Sequence, residues 1–546
     1  MSNVIAAIPE PLEPGRSEDE FVIEPMMPAF SPVDPPTAEA PPEQMVLEYA
    51  APLTDSGATP GEPINIRSRA IRSSVWTVCG FGSSQLIRFG SNLILSRLLF
   101  PEHFALAAIS GMIIAGLQQF SDVGLGPSII QNKRGDDPAF LNTAWIISII
   151  RGVIIWLLAS AISWPMAKFY GQPILLKIFM VGSWNAILNG FNSTSIYTLN
   201  RHMSLGKITL LNSLTQICST VVTIAIARVH PSVWAIVFGG MTGSFVTMAV
   251  SHFLIPGRHN RLAWDRTARK ELFSPFAAWI LVSTMITFFA NESDRLLLAK
   301  MVPMTIVGIY FTAMTLVRLP TEMISRLAAM TIFPALAHAA NEPGNALRDR
   351  FYRARSLILP IGIAGALGVG LGAPVFFGAL YTKTWKDAGW MAQFMAVGVW
   401  ATILQLTADR TLLAIGKTRA LALSNFANVT ITVLGAFAGH YLGDHFVGGH
   451  GGMAGFILGV SAGNFAGHAI IQASLARSGL GIYRQDATYT LLLVVLAALG
   501  LGLPRLMVHL TPPTLTRTWT ILCPILVVGV ACAWAGLRVL RWLKAR

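Results

Sequence analysis

Four arginine residues of this sequence stand inside long apolar runs, where charge is rare: Arg88, Arg151, Arg295 and Arg318. An ionisable side chain in an apolar medium is costly unless it faces a cavity, a counter-ion or a ligand. A guanidinium group stays charged and binds a phosphate or carboxylate through two parallel hydrogen bonds. These arginines therefore predict a cationic site for an anionic ligand, set among apolar helices.

Polar residues follow helical spacing around two of these arginines. Ser84, Arg88 and Asn92 are each four residues apart, so a helix would place all three on one face. Asn291 and Arg295 have the same four-residue separation and share a second face. We expect Asn92 and Asn291 to join the arginines in binding the ligand.

Acidic residues in the same regions have two interpretations. Three of them are candidates for binding an ion: Asp122, Asp294 and Glu322. Glu322 follows Arg318 by four residues, which is about one helical turn. The acids could instead form ion pairs that fix the fold, in which case Asp294 would help to neutralise its neighbour Arg295.

The composition indicates the elements that must hold these side chains. Hydrophobic residues make up 53% of the 546 residues, charged residues make up 12%, and the mean hydropathy is +0.57. Because soluble domains have about 25% charged residues, this chain has too few charges to cover a water-facing surface. A soluble enzyme, a nucleic-acid binder and a disulfide scaffold are excluded, and an all-α polytopic membrane protein is predicted.

The apolar segments predict about fourteen membrane-spanning helices. They cover roughly 74–98, 103–125, 140–164, 174–196, 208–228, 232–254, 274–299, 304–327, 356–380, 388–408, 419–439, 453–475, 488–510 and 518–540. With both termini in the cytoplasm, most Lys and Arg residues of the connecting stretches, Arg355 among them, fall on the cytoplasmic side, as the positive-inside rule requires. We therefore expect both ends of the chain to lie in the cytoplasm.

A weak internal repeat suggests how the spans are grouped. The segments NLILSRLLFPEHF (92–104) and DRLLLAKMVPMTI (294–306) align with Pro101 on Pro303. This alignment predicts two six-helix lobes followed by an extra pair of helices, and repeat-built transporters bind substrate between their lobes. The predicted regions are a disordered, acidic, proline-rich tail (1–66), an N-lobe (67–254), an amphipathic cytoplasmic linker (255–273), a C-lobe (274–475), and the final two spans with a basic end (476–546).

The short motifs of the sequence indicate helix packing and give no sign of an enzyme or a cofactor site. The GKT triplet at 416–418 lacks the preceding glycine of a phosphate-binding loop. Gly455, Gly459, Gly463 and Gly467 repeat every four residues, which favours close helix packing, with a hinge as the alternative. The histidines at 440, 445 and 450 have no metal-ligand spacing, so no metal and no cofactor is expected.

Four segments together resemble a known family. They are QLIRFGSNLILSRLLFPEHFALAAI (85–109), SDVGLGPSIIQ (121–131), RGDDPAFLNTAWIISIIRG (134–152) and NESDRLLLAKMVPMTIVGIYFTAM (291–314). These resemble bacterial oligosaccharide flippases, lipid-linked oligosaccharide translocases of the multidrug/oligosaccharidyl-lipid/polysaccharide exporter superfamily. The resemblance covers roughly 70–475 and is strongest before residue 200, while the long acidic tail departs from the family pattern.

The resemblance implies a V of two six-helix lobes, often with two extra C-terminal helices. It implies a transporter of the bacterial inner membrane, not an enzyme. This transporter moves undecaprenyl-diphosphate-linked oligosaccharide from the cytoplasmic to the periplasmic leaflet for exopolysaccharide or surface polysaccharide synthesis. In that family, basic residues on the first, second, seventh and eighth helices hold the diphosphate. Arg88, Arg295 and Arg318 stand on matching helices, and Arg151 lies on the third. The implied partners are the bilayer, the substrate, and a polysaccharide polymerase or glycosyltransferases.

Two alternatives remain open at this point. A cation-coupled drug or metabolite antiporter of the same superfamily would favour a cavity with more acids than bases. A polysaccharide polymerase or ligase would need a reactive group of residues, usually on a sizeable outer loop, and the sequence has no such group.

Overall fold

The computed structural model describes residues 66–122, 124–202, 204–255, 259–272, 275–328, 336, 339, 346–510 and 516–544. Side chains are described from residue 82 onwards, together with Gly80, except at 205, 270, 275–283, 327, 508–510, 516, 517 and 542–544. The predicted acidic tail therefore lies outside the described residues.

The described part of the chain is built from α-helices and contains no β-strand. The helices are α1 (Ile66–Leu98), α2 (Pro101–Phe120), α3 (Leu125–Gln131), α4 (Pro138–Tyr170), α5 (Ile174–Gly182), α6 (Trp184–Gly190), α7 (Ser195–Arg201), α8 (Leu205–Val229), α9 (Val233–Ser251), α10 (Arg266–Leu272), α11 (Pro275–Met301), α12 (Met304–Leu327), α13 (Ala346–Leu380), α14 (Asp387–Ala414), α15 (Thr418–Phe446), α16 (Gly451–Arg477), α17 (Tyr483–Leu510) and α18 (Thr516–Lys544). A short 3₁₀ turn, Lys383–Trp385, joins α13 to α14.

Local sequence signals fix several helix ends. The carboxylate of Asp137 accepts a hydrogen bond of 3.0 Å from the Ala139 amide, and Pro138 occupies the first turn of α4. Both features are typical of helix starts. Gly171 ends α4 with φ of +65°, a backbone conformation that favours glycine.

The long apolar helices confirm an all-α, multi-pass membrane protein. Eleven helices of the described residues are long and apolar enough to cross a bilayer, or twelve if one bent pair is a single span. That pair lies in the fourth predicted span, where Ile174–Gly190 and Ser195–Arg201 meet at 57°. The predicted first and seventh spans coincide with α1 and α11, whose side chains are described only in part. The count of fourteen therefore stays a prediction.

The helices form two groups with a terminal pair beside the second. In the N-terminal group, α8 packs on α1 and α9, and α4 packs on α5 and α6. In the C-terminal group, α14 lies against α12, α13 and α16, and α15 lies along α16. The terminal helices α17 and α18 pack on each other, and both pack on α13. The two groups meet chiefly where α2 contacts α11 and α12.

The glycine repeat on α16 serves close helix packing, as the sequence predicts. A methyl group added at Gly455 would lie 1.9 Å from the carbonyl oxygen of Gly439 on α15. A methyl group at Gly459 would lie 2.0 Å from the carbonyl oxygen of Gly435. The backbones of α15 and α16 therefore touch through glycines at successive turns.

Part of the predicted linker is folded against the N-terminal group. Ala268 and Leu272 of α10 are buried in an apolar cluster with residues of α3 and α4. The Arg134 guanidinium, in the turn before α4, forms ion pairs with Asp265 at 2.9 Å and Glu271 at 3.2 Å. These contacts attach the linker to the N-terminal group.

Candidate functional site

The two helix groups enclose a cavity of about 410 Å³ that we call the arginine cavity. Its polar wall is formed by residues from α1, α11 and α12: Arg88, Ser91, Asn92, Arg295, Thr312, Thr315, Arg318 and Glu322. Three of the four predicted arginines therefore meet in one place, together with Asn92 and one candidate coupling acid. The helices involved belong to both groups, so the cavity lies where the two groups meet.

Arg88 faces this cavity from α1. Its side chain is exposed to the cavity, and within the described part of the chain its guanidinium makes no hydrogen bond or ion pair. On the same helix, Asn92 reaches across to α12, with its Nδ2 3.5 Å from Thr315 Oγ1. A guanidinium with no protein partner keeps all its donors available for an anionic ligand.

Arg295 and Arg318 share one counter-ion. Arg295 Nη1 donates to Glu292 Oε2, and Arg318 Nη2 lies 3.4 Å from Glu292 Oε1. Arg295 is buried, and its guanidinium also lies over the Phe311 ring, 5.9 Å from the centroid. Arg318 keeps 40% of its side chain exposed. Because one carboxylate serves two guanidinium groups, the pair of arginines retains positive charge towards the cavity.

Glu322 links the two helix groups beside the arginines. Its Oε2 accepts a hydrogen bond of 3.0 Å from Gln85 Nε2 on α1. Arg88 and Glu322 also border a further cavity of about 470 Å³, which is lined by Ser84, Gln216, Ser325 and Arg326 as well. The polar space thus continues from the arginine cavity towards the beginning of α1 and the end of α12.

Arg151 and Asp122 lie away from this cavity and contact each other. Arg151 Nε donates to Ser121 Oγ at 3.0 Å, and Nη2 donates to the Gln118 carbonyl oxygen at 2.6 Å. Arg151 Nη1 stands 3.6 Å from Asp122 Oδ1. The guanidinium therefore binds a backbone carbonyl oxygen at the C-terminal end of α2, where a cation is favourable.

Asn291 and Asp294 border a second cavity of about 360 Å³ inside the C-terminal group, which we call the amide cavity. The buried carboxylate of Asp294 accepts a hydrogen bond of 2.8 Å from the Tyr310 hydroxyl. Four further polar side chains of its wall come from α15 and α16: Asn428, Thr432, Ser461 and Asn464. Sequence reasoning missed these four, because single amides and hydroxyls are common in membrane helices and carry no spacing signal.

The structure also contains a buried ion pair that the sequence does not predict. Arg355, which the sequence places among cytoplasmic bases, is 1% exposed and donates through Nη2 to Asp486. The same carboxylate lies 2.9 Å from His468 Nε2 and accepts from Gln472 Nε2 at 3.0 Å. This network joins α13, α16 and α17. Among the described residues, no group of three His, Cys, Asp or Glu side chains is arranged to hold a metal ion.

Known proteins resemble this chain in sequence. The lipopolysaccharide biosynthesis protein WzxC of Escherichia coli (strain K12) is 20% identical over 345 residues, which cover 61% of this chain and 68% of WzxC. The succinoglycan biosynthesis transport protein ExoT of Rhizobium meliloti (strain 1021) is 18% identical over 310 residues. That match covers 56% of this chain and 59% of ExoT, so the chain spans less than two thirds of this relative.

Solved structures show the same fold at low sequence identity. The lipid II flippase MurJ in an inward closed conformation aligns with a TM-score of 0.61 and 13% identity, covering 85% of this chain and 98% of that chain. An inward-facing multidrug resistance MATE family transporter of the MOP superfamily aligns with a TM-score of 0.53 and 16% identity, covering 72% of this chain and 95% of that chain. These structural relatives are membrane transporters and a flippase, not enzymes.

The sequence profile of one family extends over both helix groups. The family described as polysaccharide biosynthesis protein matches residues 94–389, which is more than half of the 546 residues. The matched region runs from the end of α1 to the start of α14 and includes Arg151, Arg295 and Arg318. The chain therefore belongs to the polysaccharide biosynthesis protein family of membrane proteins.

Proposed function

We propose that this protein is a flippase that moves an undecaprenyl-diphosphate-linked oligosaccharide from the cytoplasmic to the periplasmic leaflet of a bacterial inner membrane. The product would be used to build an exopolysaccharide or surface polysaccharide. The observation that carries the proposal is the arginine cavity, in which Arg295 and Arg318 share one carboxylate and the Arg88 guanidinium has no partner among the described residues. The relatives WzxC and ExoT, named for polysaccharide biosynthesis and transport, support it.

The diphosphate fits the charge of the cavity. Arg88 and Arg318 would bind its oxygens directly, because both guanidinium groups are accessible from the cavity. Arg295 is buried and held by Glu292, so it would contribute through its field and through the position it gives Glu292. Asn92, and Asn291 at the neighbouring cavity, supply neutral donors and acceptors. No covalent bond changes, and the prenyl chain stays in the lipid.

Transport requires the two helix groups to rock about the bound headgroup. With both termini in the cytoplasm, the end of α1 and the start of α12 lie on the periplasmic side. On that side a methyl group at Gly308 would lie 1.9 Å from the Pro101 carbonyl oxygen, so the repeat-related turns touch. Opening towards the periplasm would separate these turns and release the headgroup near a polymerase or glycosyltransferases.

An ion gradient could drive this cycle through the candidate acids. Asp294 and Glu322 border the cavities, and each is engaged by one neutral side chain, Tyr310 or Gln85. A bound proton or cation could therefore replace those neutral partners. Asp122 is paired with Arg151 outside the cavities, which makes it the weakest of the three candidates. The membrane potential would add to the driving force on any net charge moved.

The test measures polyprenyl-linked oligosaccharides, identified by mass, in a host strain that lacks this gene. We expect a finished lipid-linked repeat to accumulate, and Arg88→Ala and Arg318→Ala to leave the accumulation uncorrected. Arg228→Ala, which changes an exposed arginine at the end of α8, is the matched control and should restore normal lipids. Full rescue by both cavity variants would reject the arginine site. Unchanged lipids with unchanged surface glycan would favour the drug or metabolite antiporter.

A further inference from the structure

The amide cavity differs from the arginine cavity in its chemistry. Its wall within the C-terminal group carries neutral hydrogen-bonding side chains: Thr402 on α14, Asn428 and Thr432 on α15, and Ser461 and Asn464 on α16. Polar groups inside an apolar helix bundle are costly unless they bind each other or a ligand. The two cavities share Met314, Arg318 and Glu322 in their walls, so they adjoin each other.

The neutral side chains keep unused hydrogen-bonding capacity. Asn428 Nδ2 donates to Asn464 Oδ1 at 3.0 Å, and Thr432 Oγ1 donates to Asn428 Oδ1 at 3.2 Å. Among the described residues, Asn464 Nδ2 donates to no protein acceptor. Ser461 Oγ donates 2.9 Å to the Ile457 carbonyl oxygen and keeps its lone pairs to accept. The wall therefore offers both donors and acceptors to a neutral ligand.

A glycine keeps this wall open. A methyl group at Gly398 on α14 would lie 2.9 Å from Ser461 Oγ and 3.4 Å from Asn464 Nδ2. Any larger residue at this position would therefore press on the two side chains with free hydrogen-bonding capacity. The absence of a side chain on α14 leaves room for a ligand atom next to them.

We propose that the amide cavity is a glycan subsite that receives the sugar next to the diphosphate. The inference rests on the proposed flippase function, because Arg318 in the shared wall would bind the diphosphate beside it. Sugar hydroxyls both donate and accept, which matches amide and hydroxyl side chains better than it matches a phosphate or a prenyl chain. A cavity of about 360 Å³ is at the small end of ligand pockets, so it would admit only the first part of an oligosaccharide.

The carboxylates of this wall are already engaged. Glu292 binds two arginines, Asp294 accepts from Tyr310, and Glu322 accepts from Gln85. Asp294 lines the amide cavity and not the arginine cavity, and a carboxylate there disfavours a phosphate, so the diphosphate would stay with the arginines. A monovalent cation such as Na⁺ is the competing occupant, and binding measurements with two probes distinguish it from a sugar.

The test compares two soluble short-chain probes on the purified full-length protein: a polyprenyl diphosphate, and the same lipid carrying the host oligosaccharide. We expect the wild type to bind the glycosylated probe more tightly. Asn464→Leu keeps the side-chain size and removes the amide. It should therefore weaken the binding of the glycosylated probe about 3- to 10-fold and leave the binding of the bare probe unchanged. Gly398→Ala adds a methyl group that narrows the amide cavity beside Ser461 and Asn464. It should therefore also weaken the binding of the glycosylated probe.

Control variants make the outcomes distinct. Thr430→Val changes a half-buried residue of α15 that lines neither cavity and should alter neither affinity. Arg88→Ala should weaken the binding of both probes. If Asn464→Leu and Gly398→Ala weaken both probes equally, or neither, the glycan subsite is rejected. If they abolish a Na⁺ dependence of binding to the bare probe, the cavity is a cation site. If the wild type binds neither probe, the flippase proposal itself fails.

Discussion

The indole Nε1 of Trp385 donates a hydrogen bond of 2.9 Å to the carbonyl oxygen of Ser96, and this bond joins the C-terminal group to the end of α1. Trp385 is 1% exposed, and its ring meets Phe104 of α2 edge-on at a centroid distance of 5.0 Å. The 3₁₀ turn between α13 and α14 therefore inserts one aromatic side chain between the first two helices. Movement that opens this side of the cavity must withdraw it.

Trp385→Phe should make the arginine cavity open more often on the side where α1 ends and α2 begins. Phenylalanine keeps an aromatic ring against Phe104 but loses the hydrogen bond, which is worth about 1 kcal/mol, or about a fivefold change in an equilibrium. A cysteine placed at Ser91, after replacement of the native cysteines, reports the opening through its labelling rate with a membrane-impermeant maleimide. We expect labelling from the periplasmic side to rise severalfold.

The control for this experiment is Trp164→Phe, which changes a tryptophan of α4 that is 62% exposed. Its labelling rate should equal that of the wild type. An unchanged rate in Trp385→Phe would show that the hydrogen bond to Ser96 does not restrain the opening.

Removing the Glu292 carboxylate, which Arg295 and Arg318 share, should lower the stability of the fold more than removing the nearby Glu322 carboxylate. Glu292→Gln leaves the buried Arg295 without its counter-ion, and breaking a buried ion pair costs about 3–5 kcal/mol. Glu322→Gln, whose only described partner is the neutral Gln85, should cost about 1 kcal/mol. Thermal unfolding in detergent gives the comparison. Equal stabilities of the two variants would mean that Arg295 does not depend on Glu292.

Charge in apolar runs was enough to predict most of the arginine cavity. A charge inside a membrane helix is costly without a cavity, counter-ion or ligand, which singles out Arg88, Arg295 and Arg318. The structure brings all three together. Arg151 met the same criterion but lies against the end of α2 with Asp122. Spacing along one helix cannot distinguish these cases, because the outcome depends on which neighbouring helix end or cavity the side chain reaches.

The remaining site residues could not be predicted, because their partners are distant from them in the sequence. Arg355 lies near one end of α13, so its sequence position suggests a cytoplasmic base, yet Asp486 pairs with it across 131 residues of sequence. Asn428 and Asn464 are likewise ordinary residues until α15 and α16 approach through their glycines. Both features depend on how α13, α15, α16 and α17 are arranged, which apolar patterning alone does not specify.

The attachment of the linker should be insensitive to pH above about pH 5 and weaken in acid. Hydrogen bonds from the Arg134 guanidinium hold the pKa of Asp137 and Asp265 below the ordinary value of 3.8. Carboxylates with lowered pKa stabilise the fold above their unfolded pKa, and that stabilisation is lost as the pH falls through the folded pKa. A spin label at Arg269→Cys on α10 should therefore become mobile below about pH 4.

Arg134→Gln should make the same label mobile at every pH, because the two carboxylates and Glu271 lose their common partner. Arg266→Gln changes an exposed arginine of α10 that takes no part in this cluster, and should keep the wild-type pH profile. A label that stays immobile in Arg134→Gln would show that the burial of Ala268 and Leu272 alone attaches α10.

The glycine contact between α15 and α16 should tolerate no side chain. In Gly459→Leu the new side chain would begin 2.0 Å from the Gly435 carbonyl oxygen, a backbone atom that can move only if the helices separate. Separation would also spread the wall of the amide cavity, so both stability and binding of the glycosylated probe should fall.

Gly529→Leu on α18 is the matched control, because a methyl group there meets nothing within 4 Å. Helix propensity favours both substitutions by about 0.5–1 kcal/mol, so a lower melting temperature in Gly459→Leu alone would isolate the cost of helix separation. Similar melting temperatures in the two variants would mean that α15 and α16 adjust without loss.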